Sequence, residues 1–224
     1  MPGAATLGQR LVYENAKDLL HDNGVDVNTA VLTQSYLRLE QLMTITTTNY
    51  VFPILVNGGG GNAGAPFNSE RRLNLQDSFV ASELAVYLFP ASSSTDTSHH
   101  LYSYPSFFTF TGAGVASSAQ QMYHGYLTLS VNNQVIVPFW DIQRSYLVNQ
   151  TQNTAAIAAG SFDDQLSGRD DVFFPTEPNW ILIGSKNNSL TMVLQNAFTA
   201  VLAGSPRMVI WLRGVLAQNS TSVQ

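Results

Sequence analysis

The sequence predicts an all-β (mainly) protein, a jelly-roll-like β-sandwich that follows an N-terminal helical and extended arm. Eight or so short segments have the composition of strands, and turn-forming residues separate them. Helical spacing is confined to the N-terminus and a few linker turns, a pattern typical of a sandwich or jelly roll and not of an α/β enzyme. The length of 224 residues fits one such sandwich with an arm, or two very small domains.

The arm is predicted to span 1–42, and its first part is an amphipathic helix. Apolar residues recur at helical spacing, with Thr6 as N-cap and Gly24 as the stop. The leucines of this stripe are Leu7, Leu11, Leu19 and Leu20. A single amphipathic helix needs a surface to cover, so it packs on the body or on another subunit. From Leu37 the pattern becomes extended.

The body is predicted to span 43–224 and to contain the strands. Pro53 indicates an edge or a bend, and Asn132–Asn133 indicates a tight hairpin because asparagine tolerates positive φ. Arg213–Gly214 is a candidate bulge. The strand candidates are 37–56, 79–89, 101–110, 126–131, 134–139, 180–183, 190–194 and 207–216, and 116–124 is a short helix candidate.

The composition favours a protein that contacts other protein subunits. Charged residues make up 11% of the chain, against about 25% in an ordinary domain. Neutral polar residues therefore cover much of the surface, which suits burial against neighbours. The net charge is −5, and two lysines and eight arginines are scattered along the chain. No basic stripe is present, so we expect no direct contact with nucleic acid.

Several functional classes are disfavoured by what the sequence lacks. The absence of cysteine excludes disulfides, thiolate catalysis and Cys-type zinc sites. The sequence contains no run of about 18 apolar residues, so no membrane span is predicted. The N-terminus lacks the pattern of a signal peptide, so we expect synthesis in the cytoplasm without secretion. No cofactor is expected.

No motif in the sequence indicates catalysis, so we expect that the protein is not an enzyme. No GxSxG nucleophile motif is present, and the glycines at 58–61 are not followed by the GK[ST] of a phosphate loop. The pair His99–His100 would point to opposite faces of a strand and so would not share a metal ion.

The densest acidic segment leaves two interpretations open. It holds Asp163, Asp164, Asp170 and Asp171, with Arg169 between the pairs. Carboxylates of such a loop bind calcium in some proteins, but the spacing is not that of an EF-hand. A solvated acidic loop is the other interpretation. A second polar motif, Arg71–Arg72, is either an inter-subunit or strand-locking contact or the exposed start of a strand.

Four segments of the body form a recognisable series: RRLNLQDSF at 71–79, YHGYLTLSVNNQVIVPFWD at 123–141, EPNWILIGSKNNSLTMVL at 177–194 and RMVIWLRGVLAQNST at 207–221. In motif order this series resembles virion structural proteins of bacteriophages that infect Bacteroidetes-type hosts. The resemblance implies a capsid or capsid-associated jelly-roll subunit, located in the virion, whose partners are copies of itself and other virion proteins. The chain is short for a double jelly roll and lacks a basic arm, which favours an outer, vertex, decoration or connector role.

Under this interpretation the arm docks on a neighbour, and the assembly residues are Leu7, Leu11, Leu19, Leu20, Arg71 and Arg72. The alternative is a receptor- or carbohydrate-binding module of a phage fibre or spike, which would bind a host-surface glycan. That alternative predicts an exposed ring cluster, whereas the capsid interpretation predicts the same rings buried in a core or interface. The rings are Tyr102, Tyr104, Trp140 and Trp180.

Overall fold

The computed structural model describes residues 7–54, 73–90, 101–103, 118–146, 173–201 and 204–220. Among these residues are one α-helix, eight strands and two short 3₁₀ helices at Gln120–His124 and Ile142–Ser145. The helix and strands are α1 (Leu7–Asp22), β1 (Val31–Leu42), β2 (Asn49–Ile54), β3 (Ser78–Phe89), β4 (Tyr126–Val131), β5 (Gln134–Asp141), β6 (Phe174–Ile183), β7 (Asn188–Val193) and β8 (Arg207–Gln218).

The strands form two antiparallel four-stranded sheets, with the order β1-β8-β3-β6 in the first and β2-β7-β4-β5 in the second. Four antiparallel pairs are nested in the chain: β1 with β8, β2 with β7, β3 with β6 and β4 with β5. Nested pairs distributed over two packed sheets are the arrangement of the eight-stranded jelly roll. The predicted fold class, a mainly β jelly-roll-like sandwich with an N-terminal helix, is therefore confirmed.

The main core lies between the two sheets. In the second sheet, alternate residues of β2 and β7 point into it: Tyr50, Phe52, Ile54, Leu190 and Met192. Trp140 of β5 and Trp180 of β6 are buried in the same core. This alternation leaves the opposite side of the second sheet to face outward.

An extra residue in β3 changes which of its side chains face the main core. Between Ala81 and Glu83 the pairing with β8 advances by two residues in β3 but by one in β8, so Ser82 forms a bulge. A bulge reverses the in–out alternation because the side-chain period of a strand is two. The core-facing residues are odd-numbered before the bulge and even-numbered after it: Phe79, Ala81, Leu84, Val86 and Leu88.

Gly214 of β8 lies opposite the bulge, paired with Ala81. A Cβ atom at position 214 would lie 1.8 Å from the carbonyl oxygen of Val80, so only glycine fits this close approach of two backbones. The Ser82 hydroxyl donates a hydrogen bond to the Arg213 carbonyl, at 3.3 Å. The bulge predicted at 213–214 is therefore at the expected level of the sheet, but its extra residue belongs to β3.

The C-terminal end of α1 has the hydrogen bonds of a Schellman motif. The Val25 amide donates to the Leu20 carbonyl and the Gly24 amide to the His21 carbonyl, both at 3.0 Å. Gly24 has φ of +79°, a conformation that glycine adopts at little cost. The helix stop predicted at Gly24 is confirmed.

Helix α1 packs on the outer face of the first sheet of its own chain. Ala16, Leu20 and Val25 form a buried cluster with residues of β3 and β8. Of the two placements that the sequence left open, the body or another subunit, the structure has the body. β1 is also part of the first sheet, so a division between an arm at 1–42 and a body at 43–224 separates one strand from its sheet.

The local predictions differ in accuracy along the chain. The hairpin turn is confirmed, because Asn132 and Asn133 have φ of 50° and 64° and connect β4 to β5. The threonine-rich segment 44–48, predicted as extended, instead connects β1 to β2. Strand β6 begins at Phe174, six residues before its predicted start at 180. Of the candidate strand 101–110, only 101–103 are described, and Tyr102 forms an isolated bridge with Leu88.

Candidate functional site

The outer face of the second sheet is nearly free of charged side chains. Asp141 is the only Asp, Glu, Lys or Arg in β2, β4, β5 and β7. Strand pairing places Val51, Thr191 and Thr128 side by side across the sheet. We call the outward-pointing residues of these strands the neutral face: Val51, Tyr126, Thr128, Val135, Phe139, Thr191 and Val193. A surface of this kind loses little hydration free energy on burial against another protein, because no charge must be desolvated.

The β5 edge of the second sheet carries several exposed apolar residues. Phe139 is 63% exposed and stacks on Tyr126, with ring centroids 4.8 Å apart. Val135 and Ile136 of the same strand are each about half exposed. Together these residues make an apolar cluster at a sheet edge, a feature that marks interaction sites on protein surfaces.

The outer face of the first sheet has a different character, since it carries a buried ion cluster. Arg207 Nη1 donates a hydrogen bond to Glu40 Oε2 at 3.0 Å. Arg38 Nη2 lies 2.7 Å from Glu40 Oε1, an ion-pair contact whose angles are not those of a hydrogen bond. The Glu40 side chain is 3% exposed and that of Arg38 is 13% exposed. Two guanidinium groups thus neutralise one buried carboxylate, and these three residues are the ion cluster.

Aromatic rings surround the ion cluster. The Arg207 guanidinium lies 5.6 Å from the Phe89 ring centroid, and that of Arg38 lies 6.0 Å from the Trp211 centroid. Tyr36 contacts Trp211 edge-on, with centroids 5.5 Å apart. Such cation–π and edge-to-face contacts add stabilisation to a partly desolvated charge. The cluster links the edge strand β1 to β8.

The residues predicted for assembly lie in different surroundings. Leu20 is fully buried against the first sheet, and Leu19 is partly buried beside the same cluster. Leu11 is 56% exposed. The side chain of Leu7 lies outside the described residues, as do Arg71 and Arg72. The role of these six residues in assembly stays a prediction. Of the three leucines of α1 whose side chains are described, only Leu11 presents a large apolar surface.

The rings predicted to be exposed in a sugar-binding module lie in the core where they are described. Trp140 and Trp180 are buried between the sheets, and Tyr102 is partly buried against the same core. Tyr104 lies outside the described residues. The exposed ring of the neutral face, Phe139, and the partly buried Tyr126 on which it stacks were not among those predicted.

The described residues provide few groups for proton or metal chemistry. They contain no group of three or more His, Asp or Glu side chains placed to hold a metal ion. The acidic segment with Asp163, Asp164, Asp170 and Asp171 lies outside them, as does His99–His100. Complete burial raises the pKa of the Tyr123 hydroxyl well above its usual value, and nearby Tyr146 and Tyr87 raise it further. In the parts of the chain that the structure describes, no helix has the length and apolarity of a transmembrane segment.

Sequence reasoning missed the ion cluster and the neutral face. The signal for the first was available in part, since Arg38 and Glu40 are two apart in a strand and so share one face. Their partner Arg207 is 167 residues from Glu40 in the chain, and local pattern does not reveal such a pairing. The neutral face likewise depends on which strands become neighbours.

No protein-family model matches the chain, and no curated protein matches it. A similar solved structure is the crystal structure of PBCV-1 VP54 that was fitted into a cryo-EM reconstruction of the virophage Sputnik. The two sequences are 9% identical, and the similarity covers 84% of this chain and 43% of that chain, with a TM-score of 0.30. This chain therefore spans less than half the length of that structure. A TM-score this low does not establish a common fold, so the fold assignment rests on the strand order.

Proposed function

We propose that this chain is a non-enzymatic structural subunit of a virion, and that it acts by assembling with copies of itself and with other virion proteins. The observation that carries the proposal is the neutral face, an uncharged sheet surface with exposed apolar residues on a jelly-roll body. Jelly rolls occur in viral capsid proteins and also in lectins and cupins, so the fold alone is not decisive. The resemblance of four body segments to phage virion proteins favours the first of these.

Protein partners fit this surface better than nucleic acid does. Arg38 and Arg207, two of the eight arginines, are already committed to Glu40. Exposed apolar residues and neutral hydroxyls, in contrast, are typical of protein interfaces. Closed symmetry multiplies modest contacts of this kind, so no single strong contact is required. We place the protein in a phage particle of the type that infects Bacteroidetes-type hosts, in a capsid, vertex, decoration or connector position, with synthesis in the host cytoplasm.

The test is the mass of the purified protein in solution, measured by light scattering over a range of concentrations. The proposal predicts a discrete assembly whose mass is a multiple of 24.4 kDa. Phe139→Glu places a charge at the centre of the apolar cluster and should shift this assembly toward monomer. A matched control is Leu75→Glu, which introduces the same charge at a residue that is 60% exposed but lies outside the neutral face.

The two variants separate assembly from folding. Both positions are exposed, so both variants should keep the circular dichroism spectrum and thermal stability of the parent. A monomer of the parent at all concentrations, or equal effects of the two variants on the mass, would count against the neutral face as an assembly surface. The glycan-binding alternative has no support from Trp140 and Trp180, because a ring buried between two sheets is not available to stack on a sugar.

A further inference from the structure

Strand β1 differs from the other three edge strands of the sandwich. The edges are β1 and β6 in the first sheet and β2 and β5 in the second. Three of them contain proline: Pro175 and Pro178 in β6, Pro53 in β2 and Pro138 in β5. Proline lacks an amide hydrogen and so blocks the addition of another strand. β5 is further protected by register shifts in its pairing with β4.

β1 has none of these protective features. It contains no proline, and it pairs with β8 without interruption from Val31, opposite Gln218, to Leu42, opposite Arg207. Twelve extended residues give a straight edge about 40 Å long. Among the described strands, β8 is its one neighbour. A long and regular edge of this kind is a template for pairing with another strand.

The charged residues of β1 do not oppose pairing with another strand. Arg38 and Glu40 are its only charged residues, and both belong to the ion cluster within the chain. The exposed residues of the strand are uncharged: Val31, Thr33, Gln34, Tyr36 and Leu42. A lysine pointing outward would normally discourage pairing, and this strand has no such residue.

We propose that two copies of the chain pair through their β1 edges, antiparallel, about a two-fold axis at Leu37. The pairing would join two four-stranded sheets into one of eight strands, a width that occurs in natural sheets. The proposal rests on the proposed function in that it specifies one contact of the assembly.

The register follows from the chemistry of the strand. With Leu37 on the axis, each residue before Leu37 pairs with the residue the same number of positions after Leu37 in the other copy. Tyr36 therefore faces Arg38, and Leu32 faces Leu42, of the other copy. Each pair joins side chains that attract, a ring with a guanidinium and two apolar groups. A register centred on Arg38 would instead place two arginines opposite each other.

A second copy is the occupant that this edge fits, because the pairing is self-complementary. In an isologous contact each favourable pair occurs twice, and the outer face of one sheet continues as the outer face of the other. Each copy carries a net charge of −5. Contact through an edge whose exposed residues are uncharged brings the copies together with little like-charge repulsion.

The test uses the absence of cysteine from the chain. Thr33 and Gln41 face each other across the proposed axis, so the double variant Thr33→Cys/Gln41→Cys should form two disulfides per dimer under mild oxidation. Each single variant should form none, because two copies of position 33 would be about 27 Å apart. The control is Thr33→Cys/Val51→Cys, which pairs the same thiol with an exposed position on the β2 edge.

The results separate this proposal from the proposed function. The expected result is that the double variant forms covalent dimers, and that the single variants and the control do not. The pairing is overturned if dimers form equally in a single variant or in the control. It is also overturned if the double variant forms no dimers. If light scattering shows an assembly but the double variant does not cross-link, the β1 contact is wrong and the assembly role stands. If the parent is a monomer throughout, both proposals fail.

Discussion

Replacing Glu40 with glutamine tests whether the ion cluster stabilises the fold through burial. The carboxylate lies 2.7 Å from Arg38 Nη2 and 3.0 Å from Arg207 Nη1, and its side chain is 3% exposed. Glutamine keeps the shape but removes the charge that neutralises two guanidinium groups. Removal of one partner from a buried ion pair costs about 3–5 kcal/mol, because the remaining charge stays buried without compensation. We expect Glu40→Gln to lower the free energy of unfolding by this amount.

The assay is urea unfolding followed by tryptophan fluorescence. With an m value of about 2–3 kcal/mol/M, the loss corresponds to a decrease in the midpoint of about 1–2.5 M. The matched control is Glu83→Gln on the same sheet. Glu83 lies 3.6 Å from Arg213, with side chains 39% and 29% exposed. An exposed pair contributes about 0–1 kcal/mol, so this control should change the midpoint little.

Equal effects of the two substitutions would refute the reasoning, since burial is what distinguishes the two pairs. A neutral Glu40→Gln would refute it as well. Replacement of all three cluster residues by apolar side chains of similar volume should retain most of the stability, because the desolvation cost of the charges is then removed together with their attraction.

Three further predictions concern single contacts. Gly214→Ala should lower the free energy of unfolding by at least about 3 kcal/mol, since its Cβ would meet the Val80 carbonyl at 1.8 Å. Gly24→Ala has open space around its Cβ but φ of +79°, and it should cost only about 1–2 kcal/mol in the same urea assay. The raised pKa of Tyr123 means that its neutral hydroxyl contributes stability below pH of about 10 that is lost as pH rises toward the folded-state pKa. Tyr123→Phe should therefore give thermal midpoints that fall less steeply than those of the parent above that pH, and identical slopes would contradict the assignment. Asp77→Ala removes the acceptor of the Asn219 amide, at 3.1 Å, and should cost about 1–3 kcal/mol with faster hydrogen exchange at that amide. Unchanged exchange would show that this hydrogen bond does not protect the Asn219 amide.

Features of the fold that depend on a few neighbouring residues could be predicted from the sequence. The turn at Asn132–Asn133 and the helix end at Gly24 need only a residue that tolerates positive φ at the right place. Strand β6 was predicted only from 180 because Pro175 and Pro178 argue against a strand. They are tolerated because β6 lies at an edge of the sheet, a fact that depends on the whole topology.

The candidate site was predicted less well, for a physical reason. Low overall charge indicated a surface suited to protein contact, but composition does not say which face of which sheet carries it. The neutral face exists because four strands far apart in the chain become neighbours, and Val51 reaches Thr128 only through Thr191. The leucines of α1 show the same limit, since periodicity identified an apolar stripe but not the surface that it covers.

The bulge at Ser82 divides β3 into two halves with independent surroundings. Before the bulge, Val80 faces the helix α1. After it, Ala85, Tyr87 and Phe89 pack with Val209, Phe173 and Trp211, although all of these β3 residues lie on the outer face of one sheet. The number of residues at this point therefore matters more than the identity of residue 82. Another small side chain would preserve both halves, whereas loss of the residue would force one half to present its core side chains to the wrong layer. The number of residues at the bulge sets which side chains of β3 face the core. An insertion or deletion is therefore not tolerated there, whereas a substitution by another small residue is.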